Sequence, residues 1–398
     1  MNEEVRQKLR DAEQALARAE RDLPRADPGL VKPLNDLAGL NANAGRRHLA
    51  RDYYIRALEI RKAAFGAESV EVAASLNNIA VVYSQQGRYF DSIPLYEKSL
   101  AIRERALGPD HLEVANTLSN FGSVQETLGN LAKAEQMLFR ALGIYLRQVP
   151  PGDIVLARIY TNLAGFCTVA KRLTEAETYC LKALDIVRAR HGEQHPLPAV
   201  TINNLAEIYA AQGRYDEAQT MYRQTIAIRT GLSGPSHPDI ALACNGLGQL
   251  YMAQHKYVEA AQMFEQAIGL IERSQEPDHP ALGASLQNLA ECHLIQGHFQ
   301  QAEQLLHRAI GILEQSLGTR HPDVAEAYAK LSGLFFTEGR NAEAEKHYLK
   351  ALSIWERMLG PGHPKVEATL RSLSQVCFAL LKFPEGEEYL KKAMAIRR

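Results

Sequence analysis

Histidine is the residue whose type and spacing first suggest chemistry in this sequence. The dipeptide His-Pro occurs five times at intervals of 42 residues, at His195, His237, His279, His321 and His363. Imidazole binds transition metals and transfers protons near neutral pH, so a regular row of histidines invites a metal-binding or catalytic interpretation. A fixed period of this length also indicates a repeated supersecondary unit, in which the histidines have a structural role.

The complete column favours the structural role. Extending it by the same 42-residue step adds Asp27, Ser69, His111 and Asp153. Asp and Ser cap helix N-termini, and Pro, which follows six members of the column, favours the first position of a helix. Nitrogen ligands must lie about 2.0 to 2.1 Å from one metal ion, whereas equivalent atoms of stacked helical pairs lie about 10 Å apart. We therefore predict that these histidines cap helices and that the column binds no metal.

The other columns of the repeat describe two helices. A large apolar residue followed by a small one, as at Leu205 and Ala206, recurs in all nine periods. A second small column contains Ala218 and is followed by a third seven residues later, which is two helical turns and therefore the same helix face. A glycine such as Gly213 lies between the two groups and is suited to end a helix. The predicted unit is helix A, a tight turn, a longer helix B and a loop.

These residues resemble the tetratricopeptide repeat. Its pattern is met by Leu205, Ala206, Tyr209, Ala218 and Tyr222, with Thr replacing the final small residue. Because the period is 42 residues and each unit ends in a GPxHP-like loop, the repeats are most similar to those of kinesin light chain and its prokaryotic relatives. The resemblance implies an all-α fold, a right-handed superhelical solenoid of tetratricopeptide helix-turn-helix repeats.

The repeat pattern assigns residues 27–398 to an array of about nine repeats, starting near residues 27, 69, 111, 153, 195, 237, 279, 321 and 363. Residues 1–26 are predicted to form an N-terminal capping helix, since AEQALARAERDL aligns with the helix-B sequence YEKSLAIRERAL two periods later. Terminal units of arrays need such a cap. A short coiled coil is the alternative, because the apolar residues of this segment are also spaced alternately by four and three.

Composition limits the classes of partner. The formal net charge is −1, from 45 basic and 46 acidic residues, so no strong positive field attracts nucleic acid or an anionic membrane. The sequence has neither a signal peptide nor a long apolar run, and we expect a cytoplasmic location without membrane insertion. The five cysteines form no CxxC pair and are expected to be reduced core residues.

The resemblance implies that helix A lines a concave face, where two columns before the Leu-Ala pair are rich in Asn. An Asn amide offers one donor group and one acceptor, which match the backbone of an extended peptide. We predict a non-enzymatic scaffold or adaptor that binds an extended segment of a protein partner; the alternative is that the amides bond within their own repeats. The predicted peptide-binding residues are Asn35, Asn77, Asn78, Asn116, Asn120, Arg158, Asn162, Asn203, Asn204, Asn245, Gln249 and Asn288.

Catalytic motifs are missing from the sequence. It contains no GxxxxGK[ST], HExxH or GxSxG, so we predict no catalytic residue, cofactor or metal site. Two further functions remain open for an array of this kind. The alternatives are the sensor arm of a larger protein and a secretion or assembly chaperone, and the ends of the array are able to pair with another copy.

Overall fold

The computed structural model describes residues 3–235, 237, 240–273 and 280–396, which form nineteen α-helices and no β-strand. The first helix, α1 (Glu3–Asp22), is followed by alternating helices A and B. The A helices are α2 (Val31–Asn43), α4 (Val70–Gln85), α6 (Leu112–Thr127), α8 (Ile154–Val169), α10 (Pro196–Ala211), α12 (Ile240–Ala253), α14 (Pro280–Ile295), α16 (Pro322–Thr337) and α18 (Pro364–Ala379). The B helices are α3 (Arg47–Phe65), α5 (Tyr89–Leu107), α7 (Leu131–Gln148), α9 (Leu173–His191), α11 (Tyr215–Ser233), α13 (Tyr257–Arg273), α15 (Phe299–Leu317), α17 (Asn341–Leu359) and α19 (Phe383–Ile396). The predicted all-α fold of helical pairs is confirmed.

The chain divides into two compact units, Met1–Pro151 and Gly152–Arg398. The first contains α1 to α7 and the second contains α8 to α19. The repeat pattern predicted one array over residues 27–398 and gave no sign of this division. The boundary falls in the loop Pro150-Pro151-Gly152, where the spacing of the repeats continues unchanged.

The turn inside each helical pair has one recurring geometry. Gly213 follows helix α10 with φ of 77°, a left-handed conformation that suits glycine. The next backbone N–H, of Arg214, donates to the carbonyl oxygen of Tyr209 at 2.9 Å. The same bond joins Arg340 to Phe335 at 2.8 Å. Because this bond closes the turn, the side chain after the glycine lies beside the side chain five positions earlier.

The small residues of the repeat lie where helices A and B meet. Ala206 on α10 and Ala218 on α11 have no exposed surface. On α12, a Cβ atom added to Gly248 would lie 2.5 to 2.8 Å from the ring of Phe264 on α13, far inside normal contact distance. Close helix packing therefore requires the small column, as the sequence pattern predicted.

The column of histidines caps helices. At the start of four A helices, a histidine Nδ1 accepts a hydrogen bond of 3.1 to 3.2 Å from the backbone N–H two residues later in the chain; these histidines are His111, His195, His321 and His363. The Ser69 and Asp153 side chains accept backbone N–H groups at the start of α4 and α8, and Asp27 caps a short 3₁₀ helix (Pro28–Leu30) that precedes α2, so a capping side chain is present at these seven positions. The carbonyl of His237 accepts from Ile240 N at 3.1 Å. His279 lies outside the described residues.

Helix α1 covers the first helical pair. Its Leu9 and Leu16 belong to one buried cluster with Leu30 and Leu34, and the partly buried Ala12 and Ala19 pack against that cluster. Burial of this apolar stripe against the same chain is the arrangement that a cap requires. The five cysteines, Cys167, Cys180, Cys244, Cys292 and Cys377, are free and buried, as predicted.

Candidate functional site

The predicted binding residues fall into three groups on the A helices. The inner column holds Asn35, Asn77, Asn203 and Asn245; the outer column holds Asn78, Asn120, Asn162, Asn204 and Asn288; the flanking group holds Asn116, Arg158 and Gln249. Asn77 and Asn203 are only 6% and 1% exposed, so these two amides lie within the packed helices. All five members of the outer column are half-buried, while Arg158 and Gln249 are exposed. A ligand therefore reaches the outer column and the flanking group more readily than Asn77 or Asn203.

Some amides of the first unit bond to one another. Asn120 Nδ2 donates to Asn116 Oδ1 at 3.2 Å and more weakly to Asn77 Oδ1 at 3.4 Å. Asn78, in the same outer column, forms no side-chain hydrogen bond with the described residues. Local bonding and an available amide thus both occur in this unit.

A cavity of about 410 Å³ lies beside the first member of the inner column. It is lined by Asn35, Arg61, Phe65 and Glu71, among others, all in the first unit. Asn35 Oδ1 is buried and has no hydrogen-bond partner within the described part of the chain. Arg61 donates to Ser75 Oγ at 2.8 Å, and burial lowers the pKa of its guanidinium. The cavity thus combines an unpaired acceptor, opposite charges and an apolar wall.

In the second unit the inner column is only partly satisfied. Asn203 Nδ2 donates to Glu207 Oε1 at 2.8 Å, and Asn245 Nδ2 donates to Ser285 Oγ on the next A helix at 2.8 Å. The Oδ1 atoms of Asn203 and Asn245 are buried without a partner among the residues described. An unpaired buried acceptor costs about 1 to 3 kcal/mol.

The outer column of the second unit is interrupted by an aromatic ring. Gly246 occupies the position that is Asn204 and Asn288 in the neighbouring repeats. A Cβ atom added to Gly246 would stand 2.7 Å from Cζ and 2.9 Å from the hydroxyl oxygen of Tyr222. Tyr222, on α11, therefore fills the space that a carboxamide would need. Asn204 and Asn288 make no side-chain hydrogen bond within the described ranges.

Exposed apolar side chains accompany these amides and are not among the binding residues predicted from the sequence. They are Val169, Val200, Leu242 and Ile295, which are 52%, 39%, 56% and 48% exposed and lie on four successive A helices. Val200, Asn204 and Glu207 are spaced by four and three residues and so share one face of α10. The available signal was periodic: Val200 and Leu242 are one period apart, and Val169 and Ile295 are three periods apart.

Charge on this face is mixed. Lys330 Nζ binds Glu291 Oε2 at 2.8 Å, and Lys365 Nζ binds Glu326 Oε2 at 2.6 Å, so ion pairs join successive A helices. Glu207 is exposed, yet burial raises the pKa of its carboxyl, opposed by the hydrogen bond from Asn203.

The sequence comparison decides the family. The tetratricopeptide repeat matches residues 30–89, 71–147, 155–231, 238–315 and 323–398, which is most of the chain. The chain belongs to the tetratricopeptide repeat family. No curated protein gives a sequence match to this tetratricopeptide repeat chain.

Solved structures show the same fold. BtubC (BKLC) from P. vanneervenii is 19% identical with a TM-score of 0.51, over 57% of this chain and 90% of that protein. The kinesin light chain repeats from Podosopora anserina are 26% identical with a TM-score of 0.45, over 51% and 96%. A STAND protein with a tetratricopeptide repeat sensor from Pyrococcus horikoshii is 17% identical with a TM-score of 0.51, over 94% and 55%. The predicted likeness to kinesin light chain repeats is confirmed.

Tetratricopeptide repeats generally act as scaffolds for protein–protein interaction, and the repeats of this chain imply that broad role. Within residues 3–235, 237, 240–273 and 280–396, no three His, Cys, Asp or Glu side chains come together as a metal site. Over the same residues, no helix has both the length and the apolar character needed to cross a bilayer.

Proposed function

We propose that the A helices of the second unit bind an extended peptide segment of a partner protein. One observation supports this proposal. The A helices of this unit carry side-chain amides without hydrogen bonds to the described residues, at Asn204 and Asn288, and they also carry the exposed apolar side chains of Val200 and Leu242. Each amide is able to donate to a peptide C=O and to accept from a peptide N–H. The apolar side chains supply contact area, at about 25 cal/mol per Å² removed from water.

The ring of Tyr222 divides the outer column of this unit. A peptide that follows the A helices meets amides at Asn204 and Asn288, and between them Gly246 has no side chain because the buried ring of Tyr222 fills that space. We therefore expect a ligand with backbone contacts at both asparagines and an apolar side chain near Leu242. The Glu207 carboxyl favours a basic or hydrogen-bond-donating group nearby, because it accepts from Asn203 and no cation pairs with it among the described residues. The same proposal extends separately to Asn78 and Asn120 in the first unit.

The test begins with a peptide library displayed on phage and selected on the full chain. Affinity of the best peptide is then measured by fluorescence polarisation for the wild type and for Asn204→Ala/Asn288→Ala. We expect at least a tenfold loss, since each lost hydrogen bond is worth about 1 kcal/mol and two amides make up to four bonds.

A matched control is available on helix B. Gln262 and Gln304 are exposed amides one period apart on α13 and α15. Gln262→Ala/Gln304→Ala should leave the affinity unchanged. Equal affinity of the wild type and the asparagine variant, with the same circular dichroism spectrum, would contradict the proposed surface, as would an equal loss in the glutamine control.

A sensor arm or a chaperone would use the same surface and would differ in its partner. Neither alternative is favoured by a specific contact of the described residues, so both stay proposals. Association through the ends of the array is likewise a proposal. Light scattering of the chain over a range of concentrations tests it, because a constant monomer mass at high concentration excludes end-to-end pairing.

A further inference from the structure

Two histidines meet at one turn of the second unit. His293 lies near the end of α14, and His298 follows Gly297 just before α15. His298 N donates to the His293 carbonyl oxygen at 2.8 Å, which is the bond that closes each turn in this chain. The imidazole Nδ1 atoms of the two rings are 3.4 Å apart. The turn itself therefore brings two metal-binding atoms together.

The same two positions hold a different pair in other repeats. Arg214 stacks over Tyr209 with 4.0 Å between guanidinium carbon and ring centre, and Arg340 stacks over Phe335 at 4.0 Å. These aromatic–cation pairs stabilise the turn. His293 and His298 replace both members of the pair, so the repeat loses that contact and gains two ring nitrogens.

From this geometry we infer that His293 and His298 form a binding site for a divalent transition ion, with Zn²⁺ as the representative ion. Two nitrogens at about 2.0 to 2.1 Å from a tetrahedral zinc ion are separated by about 3.3 to 3.4 Å. The observed separation of 3.4 Å matches that edge, and the ring planes are inclined by 54°, so rotation of the two side chains is needed to direct both lone pairs at one ion.

The surroundings suit such an ion. His298 is exposed and His293 is half-buried, so water is able to complete the coordination shell. Burial lowers the pKa of His293, the neighbouring His298 lowers it further, and Glu265 opposes both. The neutral imidazole is the form that binds metals, and it suits Zn²⁺, Cu²⁺ and Ni²⁺ better than Mg²⁺.

A second histidine pair in the same unit shows what a non-chelating pair looks like. The rings of His191 and His195 are stacked, with centres 4.4 Å apart and planes inclined by 18°. His195 Nδ1 already accepts the backbone N–H of Leu197 at 3.2 Å. This pair uses its ring faces for contact and one nitrogen for capping, so it serves as an internal control.

The experiment is a calorimetric titration of the full chain with ZnCl₂ after treatment with a chelator. The variants are His298→Arg and His293→Tyr. Arg and Tyr occur at the equivalent positions two repeats earlier, as Arg214 and Tyr209, so both variants should fold. The control variant is His191→Ala. We expect one zinc site in the wild type and in the control, and a zinc affinity about tenfold lower or more in each turn variant. MgCl₂ should show no comparable binding.

Thermal unfolding gives a second readout. Zn²⁺ should raise the unfolding midpoint of the wild type and of His191→Ala, because an ion that binds the folded state stabilises it by mass action. The rise should vanish in both turn variants. Equal zinc affinity and equal thermal shifts in all four proteins would overturn the site and leave the two histidines joined only by an N–H···N hydrogen bond.

Discussion

Tyr222 lies against Gly246, and we predict that its ring decides whether Gly246→Ala stabilises or destabilises the chain. Gly→Ala inside a helix normally stabilises by about 0.8 to 1 kcal/mol, because glycine has the larger backbone entropy when unfolded. The added Cβ at Gly246 would lie 2.7 Å from Cζ of Tyr222, whereas unstrained carbon atoms approach to about 3.5 to 4.0 Å. Tyr222 is only 2% exposed and has little room to retreat.

Overpacking of a filled core costs about 1 to 3 kcal/mol. Set against the helix propensity gain, Gly246→Ala should therefore lower the free energy of unfolding of the wild type by up to about 2 kcal/mol. In a Tyr222→Leu background the ring is gone, and the same substitution should raise it by about 0.5 to 1 kcal/mol. Leucine occurs at the equivalent positions Leu138 and Leu306, so the background variant is compatible with the repeat.

The assay is urea unfolding of the four proteins of a double-mutant cycle, compared at equal m-values. Gly311→Ala is the matched control, since Gly311 lies in α15 and a Cβ added there meets nothing within 4 Å. That variant should be stabilised in both backgrounds. The reasoning is refuted if Gly246→Ala stabilises the wild type as much as it stabilises Tyr222→Leu, because the ring then does not fill the gap in the outer column.

Three further predictions concern the first unit and are read from denaturant unfolding. His111→Leu should lower the free energy of unfolding by about 0.5 to 2 kcal/mol, whereas His111→Asp keeps an acceptor for Glu113 N and should lose less; equal losses would contradict capping. Burial raises the pKa of Glu126 to about 7, above the ordinary 4.5, so the folded chain retains a proton that the unfolded chain releases. The free energy of unfolding should therefore fall as pH rises from about 4.5 to about 7. Glu126→Gln should remove this pH dependence and raise the free energy of unfolding by about 1 to 3 kcal/mol at pH 7.5. A variant with the same pH profile as the wild type would contradict the prediction. Arg103 is 3% exposed and donates to Thr117 Oγ1 and to the Glu113 carbonyl oxygen. Arg103→Ala should lower the free energy of unfolding by about 2 to 4 kcal/mol, and Arg103→Met should lower it clearly less because methionine keeps an aliphatic chain in the same place. Equal losses in the two variants would show that the aliphatic part of Arg103 does not contribute by packing.

The features that recur in most repeats were predictable from the sequence. The capping histidines, the glycine that ends helix A and the small residues between the helices depend on contacts inside one repeat or between adjacent repeats. Their side chains meet the same environment each time, so a single period contains the information. His111 and His363 each accept the backbone N–H two residues later, although the loops before them differ in sequence.

The exposure of the asparagines was not predictable in the same way. Asn203 and Asn204 are adjacent in sequence and both precede the Leu-Ala pair, yet Asn203 is 1% exposed and Asn204 is half-buried. One residue turns about 100° around a helix, so neighbouring columns face different surroundings. Which of them is covered depends on side chains of the adjoining repeats, as the ring of Tyr222 over Gly246 illustrates, and the period alone does not specify those rotamers.

Residues that differ from those at the equivalent positions of other repeats therefore identify the features that are specific to this chain. The turn after each helix A is closed by the same backbone bond, so a change of residue there alters the chemistry and leaves the backbone in place. At His293 and His298 the change replaces an aromatic–cation pair by two nitrogens 3.4 Å apart. At Gly246 it removes an amide and makes room for the buried ring of a tyrosine from the preceding pair. A scaffold assembled from equivalent units has equivalent binding positions, and it acquires selectivity for one partner only where such substitutions make the units differ.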